Sequence, residues 1–240
     1  MTEKNQKKPT PNRTVFEDPG SVLLVDKPKD WTSFDVVKMV RQLLRVKRVG
    51  HAGTLDPMAT GLLIVCTGKK TKEVGTFVAK EKEYEAELLL GASTATYDGE
   101  SAIDNVGTVE GITISMIESA LSEFVGEQLQ LPPMHSAVKV GGKRLYKYAR
   151  KGKIIQRDPR MVDVQSITSL EIRIPRVKLR IVCSKGTYVR SLAHDIGKRL
   201  GSGAFLTGLR RTRIGQYELD RAVSIDDVAA LAKNHRASVL

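Results

Sequence analysis

Cysteine is scarce. Cys66 and Cys183 are the only two in 240 residues, each inside an apolar run, and no CxxC spacing links them. That pattern excludes a disulfide framework and reads as two packed, reduced thiols. His51, His135, His194 and His235 share no ligand spacing with each other or with cysteine, which argues against a zinc site. Long apolar runs are also missing. The longest, Val22–Val25 and Leu62–Cys66, are strand-sized, against the ~18 residues of a membrane span. The lysine-rich start has no apolar segment behind it, unlike a signal peptide. These absences exclude secreted and membrane classes and favour the cytoplasm. With 41% hydrophobic and 28% charged residues the chain is globular. A chain of this length buries roughly 70–75% of its unfolded surface and needs no staples.

Charge is abundant and unevenly spread. Lysine and arginine number 39 against 27 acids, a net of +12. From Glu81 to Glu127 there are eleven acids and one lysine, whereas Lys139–Arg160 holds nine basic residues and one acid. A solvated surface normally mixes signs. Segregation of this kind marks a face for a polyanion, with nucleic acid the leading candidate and an acidic membrane surface the weaker one.

Residues 1–19 read as a mobile basic tail, with Pro9 and Pro11 inside it. A strand over 21–25 stops at Pro28, and Thr32 or Ser33 caps a helix carrying Val36, Val37, Val40, Leu43 and Leu44. A glycine-dense stretch, 50–61, runs into the apolar strand Leu62–Cys66. Lys82–Leu90 alternates Tyr84, Ala86 and Leu88 with Glu83, Glu85 and Glu87, a half-buried strand. A helix follows over Ile114–Phe124, then a Gly141-Gly142 turn and a short helix through Leu145 and Tyr148. Next come strands over 161–170 and 177–183 and a helix over 187–200. A strand near Ile214–Leu219 and a helix capped by Ser224, with Asp227 three residues on, complete the pass. Irregular interspersion of half-exposed strands and helices predicts an α+β fold with a mixed, largely antiparallel sheet flanked by helices.

Gly68-Lys69-Lys70-Thr71 fails as a phosphate loop, since Gly61 lies seven positions upstream and a second lysine splits the motif. Asp56 precedes Pro57, which suits a helix N-cap as well as a functional carboxylate among Gly50, Gly53 and Gly61. Arg190, near a helix start, is a surface arginine or a group facing a ligand. Tyr84 is a core aromatic or a stacking platform.

Taken together the segments resemble a known family. Val25-Asp26-Lys27-Pro28, Trp31-Thr32-Ser33 and Gly50-His51-x-Gly53-Thr54-Leu55-Asp56-Pro57-x-Ala59-Thr60-Gly61 are similar to the bacterial tRNA pseudouridine-55 synthases of the TruB family. So are Lys82-x-Tyr84, Pro132-Pro133-Met134-His135-Ser136-Ala137-x-Lys139 and Gly142-Lys143-Arg144-Leu145-Tyr146. The series continues through Lys185–Leu192 to Leu209-Arg210-Arg211-Thr212-Arg213-Ile214-Gly215. The match runs in order over about residues 20–230.

The resemblance implies a pseudouridine-synthase fold over residues 20–240, with a basic insertion at about 131–157 closing over the RNA. It implies isomerisation of uridine-55 in the tRNA T-loop after base flipping, with no cofactor and no metal. Asp56 is then the catalytic aspartate, Arg190 its partner and Tyr84 the aromatic under the base. His51, Gly53, Thr54, Leu55, Tyr188, Leu209 and Lys27 become substrate-binding residues. Lys139, Lys143, Arg144, Lys147, Arg150 and Lys151 become contacts to the RNA backbone. His135 departs from the tyrosine usual in the family. Only about twenty residues follow Asp220, so no full C-terminal PUA (RNA-binding) domain is expected. The implied partner is the tRNA T-arm, bound by a monomer without membrane or obligate protein partner. An RNA binder without chemistry, or the same chemistry on ribosomal or guide-directed RNA, are the rival readings.

Overall fold

The computed structural model describes residues 16–237. Most of the expected tail lies outside those residues. Its last part is packed: Glu17 Oε2 accepts the Lys47 amide at 2.9 Å and Asp18 pairs with Lys69 at 2.7 Å. Among the described residues, Glu17 and Asp18 are already held against the body of the fold.

Strand β1 (Val22–Lys27) leads to helix α1 (Ser33–Leu44), whose N-cap is Thr32. Thr32 Oγ1 accepts the Asp35 amide while Asp35 accepts the Thr32 amide, a reciprocal capping box. Short β2 (Val49–Ala52) and long β3 (Thr60–Thr67) flank the glycine-dense loop. Helix α2 (Val74–Ala79), β4 (Lys82–Leu90) and the hairpin β5 (Ala92–Thr94)–β6 (Ile103–Val106) follow. Then come α3 (Ile114–Glu123) and β7 (Gly126–Gln130). Beyond them a small hairpin, β8 (Lys139–Val140) and β9 (Lys143–Arg144), precedes helix α4 (Leu145–Ala149). Gly141 and Gly142 both take positive φ at its turn, as a two-residue hairpin loop requires. Strands β10 (Arg160–Arg173) and β11 (Arg176–Cys183) form a long hairpin. Helix α5 (Val189–Arg199), β12 (Ala204–Ile214), β13 (Tyr217–Glu218) and α6 (Ile225–Ala237) complete the described residues.

One sheet dominates, in the order β1-β3-β12-β4-β11-β10-β7, with β2 on β3 and β13 on β12. Its strand pairs are antiparallel except β12 on β3. Helices α3 and α5 cover one face of β4, β11 and β10 through Ile117, Leu121, Leu192 and Ile196. On β3, Leu63 and Val65 pack under α1 and α6, while Leu62, Ile64 and Cys66 pack towards Phe77 of α2. Burial on both faces explains the unbroken apolar run. On β4 only one face is buried. The glutamates of the other face pair with Arg176, Lys178 and Arg180 of β11 and Arg213 of β12. Four acids of the acidic run, Glu81, Glu83, Glu85 and Glu87, are thus paired across the sheet.

The expected strand near Ile214–Leu219 is displaced. The real element is β12, eleven residues long and central, and only Tyr217–Glu218 of the expected span pairs as a strand. Thr207, Gly208, Arg210, Arg211, Thr212 and Arg213 hide its apolar pattern, because Arg211 is one of the largest fully buried side chains. Gly61 stands where β3 meets β12. Its φ is +98°, and a Cβ there would lie 2.4 Å from the Arg211 carbonyl oxygen, so only glycine permits the approach.

Candidate active site

The glycine-dense loop between β2 and β3 forms no helix. The Ala59 amide closes a turn onto the Asp56 carbonyl and β3 begins at Thr60, so the N-cap reading of Asp56 is wrong. Pro57 introduces a single turn because the loop must reverse within four residues to join the sheet. Its neighbours pin it from several sides. Ser33 Oγ donates to the Leu55 carbonyl at 3.1 Å and accepts the Leu55 amide at 2.8 Å. The Asp30 amide donates to the Pro57 carbonyl. Lys27 has no exposed surface, and its ammonium donates to the carbonyls of Pro28, Trp31 and Pro57. Burial holds its pKa down to about 8, against the pull of Asp56. Lys27 therefore sits behind the loop as an anchor, outside the lining of the cleft.

Asp56 lies at the floor of a cleft of about 250 Å³ and keeps 34% of its side chain exposed through the mouth. Arg190, in the first turn of α5, places Nε 2.8 Å from Asp56 Oδ2. A cation is disfavoured at a helix N-terminus, and here it is compensated by carboxylates. The same guanidinium donates to the carbonyls of Thr96 (3.1 Å) and His135 (2.8 Å). Its Nη1 lies 3.3 Å from Oδ2 of Asp98, a residue with no exposed surface on the β5–β6 loop. Burial pushes the Asp56 carboxyl above its ordinary pKa, Arg190 pulls it back, and Asp98 adds to the rise. Asp98 was missed at the sequence level, since a lone aspartate among Thr, Tyr and Gly reads as an ordinary turn residue.

Tyr84 of β4 and Leu209 of β12 also line the cleft, with Gly53, Thr54, Leu55 and Tyr188. Gln130 clamps Tyr188, accepting its amide at 2.7 Å and donating to its carbonyl at 3.1 Å. Tyr84 is 8% exposed, and burial raises its phenol pKa, which Arg211 opposes. Arg211 is the cross-strand partner of Tyr84. Its guanidinium donates to the carbonyls of Leu62 (2.7 Å) and Gly53 (3.1 Å). Lys82, also lining the cleft, donates to the Val78 and Lys80 carbonyls at the end of α2. Burial, then Arg211, brings its pKa down to about 8. Both cations belong to recognised segments, yet neither stood among the expected site residues. His51 on β2 is half-buried outside the lining, its pKa lowered by burial and by Arg211.

The insertion is an excursion between neighbouring strands, leaving β7 at Gln130 and re-entering β10 at Arg160, its register partner. Arg190 holds its root through the His135 carbonyl, and Ser191 Oγ donates to the Leu131 carbonyl at 2.9 Å. Ser136 and Ala137 contribute to the cleft wall. Farther out, Lys139, Lys143, Arg144, Lys147, Arg150 and Lys151 are all exposed. Tyr146 and Tyr148 line a groove among several of these cations, with the Arg150 guanidinium 5.4 Å from the Tyr146 ring centroid.

Residues 41–189 match the TruB family pseudouridylate synthase N-terminal domain, and residues 190–240 match the tRNA pseudouridylate synthase B C-terminal domain. The chain belongs to the TruB family. It is 49% identical over 215 residues to a tRNA pseudouridine synthase B of Parabacteroides distasonis, covering 87% of this chain and 92% of the relative. It is 50% identical over 210 residues to the protein of that name in Bacteroides fragilis, covering 85% and 90%. Among solved structures, a chain of a Cbf5–Nop10–Gar1 complex matches with a TM-score of 0.72 at 31% identity. That match covers 91% of this chain but 56% of the other, so the present chain spans little more than half of that protein. Membership in the TruB family accounts for the pseudouridine-synthase fold. Among the described residues no helix is long and apolar enough to cross a membrane.

Proposed function

We propose that this chain isomerises uridine-55 of the tRNA T-loop to pseudouridine, with Asp56 as the catalytic carboxylate. The observation that carries the reading is the 2.8 Å contact between Arg190 and Asp56 at the floor of a cleft walled by Tyr84 and Leu209. The cleft is smaller than the ~300–1,000 Å³ pockets of drug-sized ligands, which suits one nucleoside and not a length of strand. A T-loop base must therefore be flipped out of the folded RNA, at a cost of a few kcal/mol.

The reaction breaks the N1–C1′ bond, turns the uracil and forms a C5–C1′ bond; C5 loses a proton and N1 gains one. Atoms and electrons balance without oxidant, reductant or energy source. Asp56 serves as nucleophile or as proton acceptor, and either role requires it ionised. Burial opposes that state, so Arg190 is needed to retain the charge once a base seals the cleft. Tyr84 stacks on the base and Leu209 makes an apolar contact to it. Arg211 and Lys82 have no carboxylate partner among the described residues. Their positive potential favours a base carrying the electron pair of the broken glycosidic bond.

The basic insertion closes over the T-arm. Its six exposed cations neutralise phosphates, which positions the RNA without reading its sequence. His51, on the strand leading into the loop, fills space left by the flipped nucleotide. The reading is of an enzyme that acts alone on the T-arm of tRNA. A tRNA substrate places the enzyme in the cytoplasm.

The test is tritium release from tRNA labelled at C5 of uridine, comparing the native chain with Asp56→Asn. One equivalent per tRNA is expected, lost when the T-loop uridine is replaced and cut by at least about 10²-fold in the variant. Salt-sensitive tRNA binding without release would overturn the assignment and leave an RNA binder without chemistry.

A further inference from the structure

Glu100 lies outside the cleft lining, yet it touches both loops that meet at Arg190. Its Oε1 accepts the Met58 amide at 3.2 Å, two residues beyond Asp56. Its own amide donates to Asp98 Oδ1 at 3.0 Å, while Oδ2 of Asp98 stands 3.3 Å from Arg190. Arg190 then reaches Asp56 at 2.8 Å. The contacts close a ring: Asp56, Met58, Glu100, Asp98, Arg190 and back. Thr96 reinforces the far side, since its hydroxyl donates to Asp98 and meets the Ser101 hydroxyl at 2.8 Å.

We propose that Glu100 is a positioning residue, latching the Asp56 loop to the Asp98 loop and adding negative charge to the field in which Asp56 ionises. The proposal rests on the reading of Asp56 as the catalytic carboxylate. Asp56 lies in the field of Arg190 from α5, Asp98 from the β5–β6 loop and Lys27 from the end of β1, and Glu100 of that loop lies in the field of Asp56. Tyr84 of β4 and Tyr188 before α5 also lie within its field, and His135 of the insertion lies within that of Arg190 and Asp98. Two carboxylates thus oppose two cations around Asp56. Removing the charge of Glu100 tips that balance towards the ionised form. Glu100 is exposed on one side, and partial burial, then Asp98 and Asp56, hold it above the usual carboxylate range.

Two substitutions separate latch from charge. Glu100→Gln keeps an oxygen for the Met58 amide and removes the charge, whereas Glu100→Ala removes both. Single-turnover tritium release from C5-labelled tRNA is measured across acid to neutral pH, with tRNA affinity measured beside it. In both variants the acid limb of the rate profile moves to lower pH. In Glu100→Ala the plateau rate also falls about tenfold, as a small misplacement of a reacting group would cause. Its tRNA affinity changes by less than about twofold, and glutamine recovers most of the rate. Amide exchange over residues 56–60, which needs no substrate, speeds up in Glu100→Ala and much less in Glu100→Gln. A role confined to stability would lower the folded fraction without moving the acid limb.

An unmoved acid limb in both variants, or unaltered exchange in Glu100→Ala, would overturn the proposal. If Glu100→Ala does not fold, the limb of Glu100→Gln decides. Should the native chain release no tritium, the proposed function fails while exchange still decides the latch.

Discussion

Asp98 has no exposed surface and sets its Oδ2 3.3 Å from Nη1 of Arg190. The arginine thereby answers to two carboxylates 42 positions apart, and only Asp56 is open to the cleft. A guanidinium held by a buried carboxylate and two carbonyls has its orientation fixed before substrate arrives.

Breaking that pair should be expensive. Asp98→Ala leaves a buried guanidinium short of one partner and is expected to cost about 3–5 kcal/mol of unfolding free energy. Asp98→Asn retains an acceptor for Thr96 and the Glu100 amide but loses the charge. It is expected to fold and to turn over about tenfold more slowly or worse. Urea unfolding and single-turnover tritium release report the two effects. A native rate in Asp98→Asn would show that Asp56 suffices to hold Arg190.

Asp56 should carry a stability cost that depends on pH. Its folded pKa lies above its unfolded one, so the folded state binds the proton more tightly. The penalty for ionisation is absent below the unfolded value near 4 and grows as pH rises from there towards and through the folded value. Asp56→Asn, inactive, is therefore expected to be more stable than the native chain at pH 7 and equal to it at pH 3.5. Thermal melts at the two pH values check this. An asparagine variant less stable at pH 7 would mean that the pairing with Arg190 outweighs burial.

Lys27 and Lys82 act in the opposite sense. Both fall from 10.5 to about 8 in the fold, so between pH 8 and 9 the unfolded chain holds more protons and stability rises with pH. Each lysine contributes about 1 kcal/mol over that interval. Cys66 and Cys183, pushed up to about 11 by burial, offset part of the gain. A net rise of about 1 kcal/mol is expected from denaturant unfolding at pH 8 and 9, flattened in Lys27→Met and in Lys82→Met. A native chain that loses stability over the interval would contradict the buried-ammonium account.

The insertion should reveal itself through salt. Replacing Lys147, Arg150 and Lys151 together by glutamine should weaken tRNA binding. It should also reduce the slope of log affinity against log salt by about 2–3, near 0.7–0.9 per charge. Filter binding over a range of potassium chloride measures it. An unchanged slope would mean that these cations face solvent in the complex.

Local chemistry made much of the fold legible. The Thr32 cap, the alternation of Lys82–Leu90 and the paired glycines at 141 and 142 each imply their element by short-range physics. Asp56, Arg190, Tyr84 and Leu209 were drawn to one site by resemblance, and they do share one cleft. Asp98, Glu100 and Lys82 escaped because their meaning lies in partners and burial. A lone acid in a polar loop looks the same whether it faces water or a buried guanidinium. Strand β12 escaped for the same reason: five polar residues among its last eight read as surface until Arg211 is seen to be buried.

The place of β12 has a consequence for synthesis. It lies between β3 and β4, so both strands wait, edges unpaired, until residues 204–214 have been made. The sheet cannot close progressively as the chain emerges; it closes late and through long-range pairing, which is slow. The walls of the cleft arrive in the same event, since Leu209 and Arg211 ride on that strand. A nascent chain therefore carries Asp56 and its basic insertion for some time without a working pocket. Chains halted at residue 203 are expected to sediment with chaperones or as aggregates, whereas chains released after residue 240 sediment as folded protein.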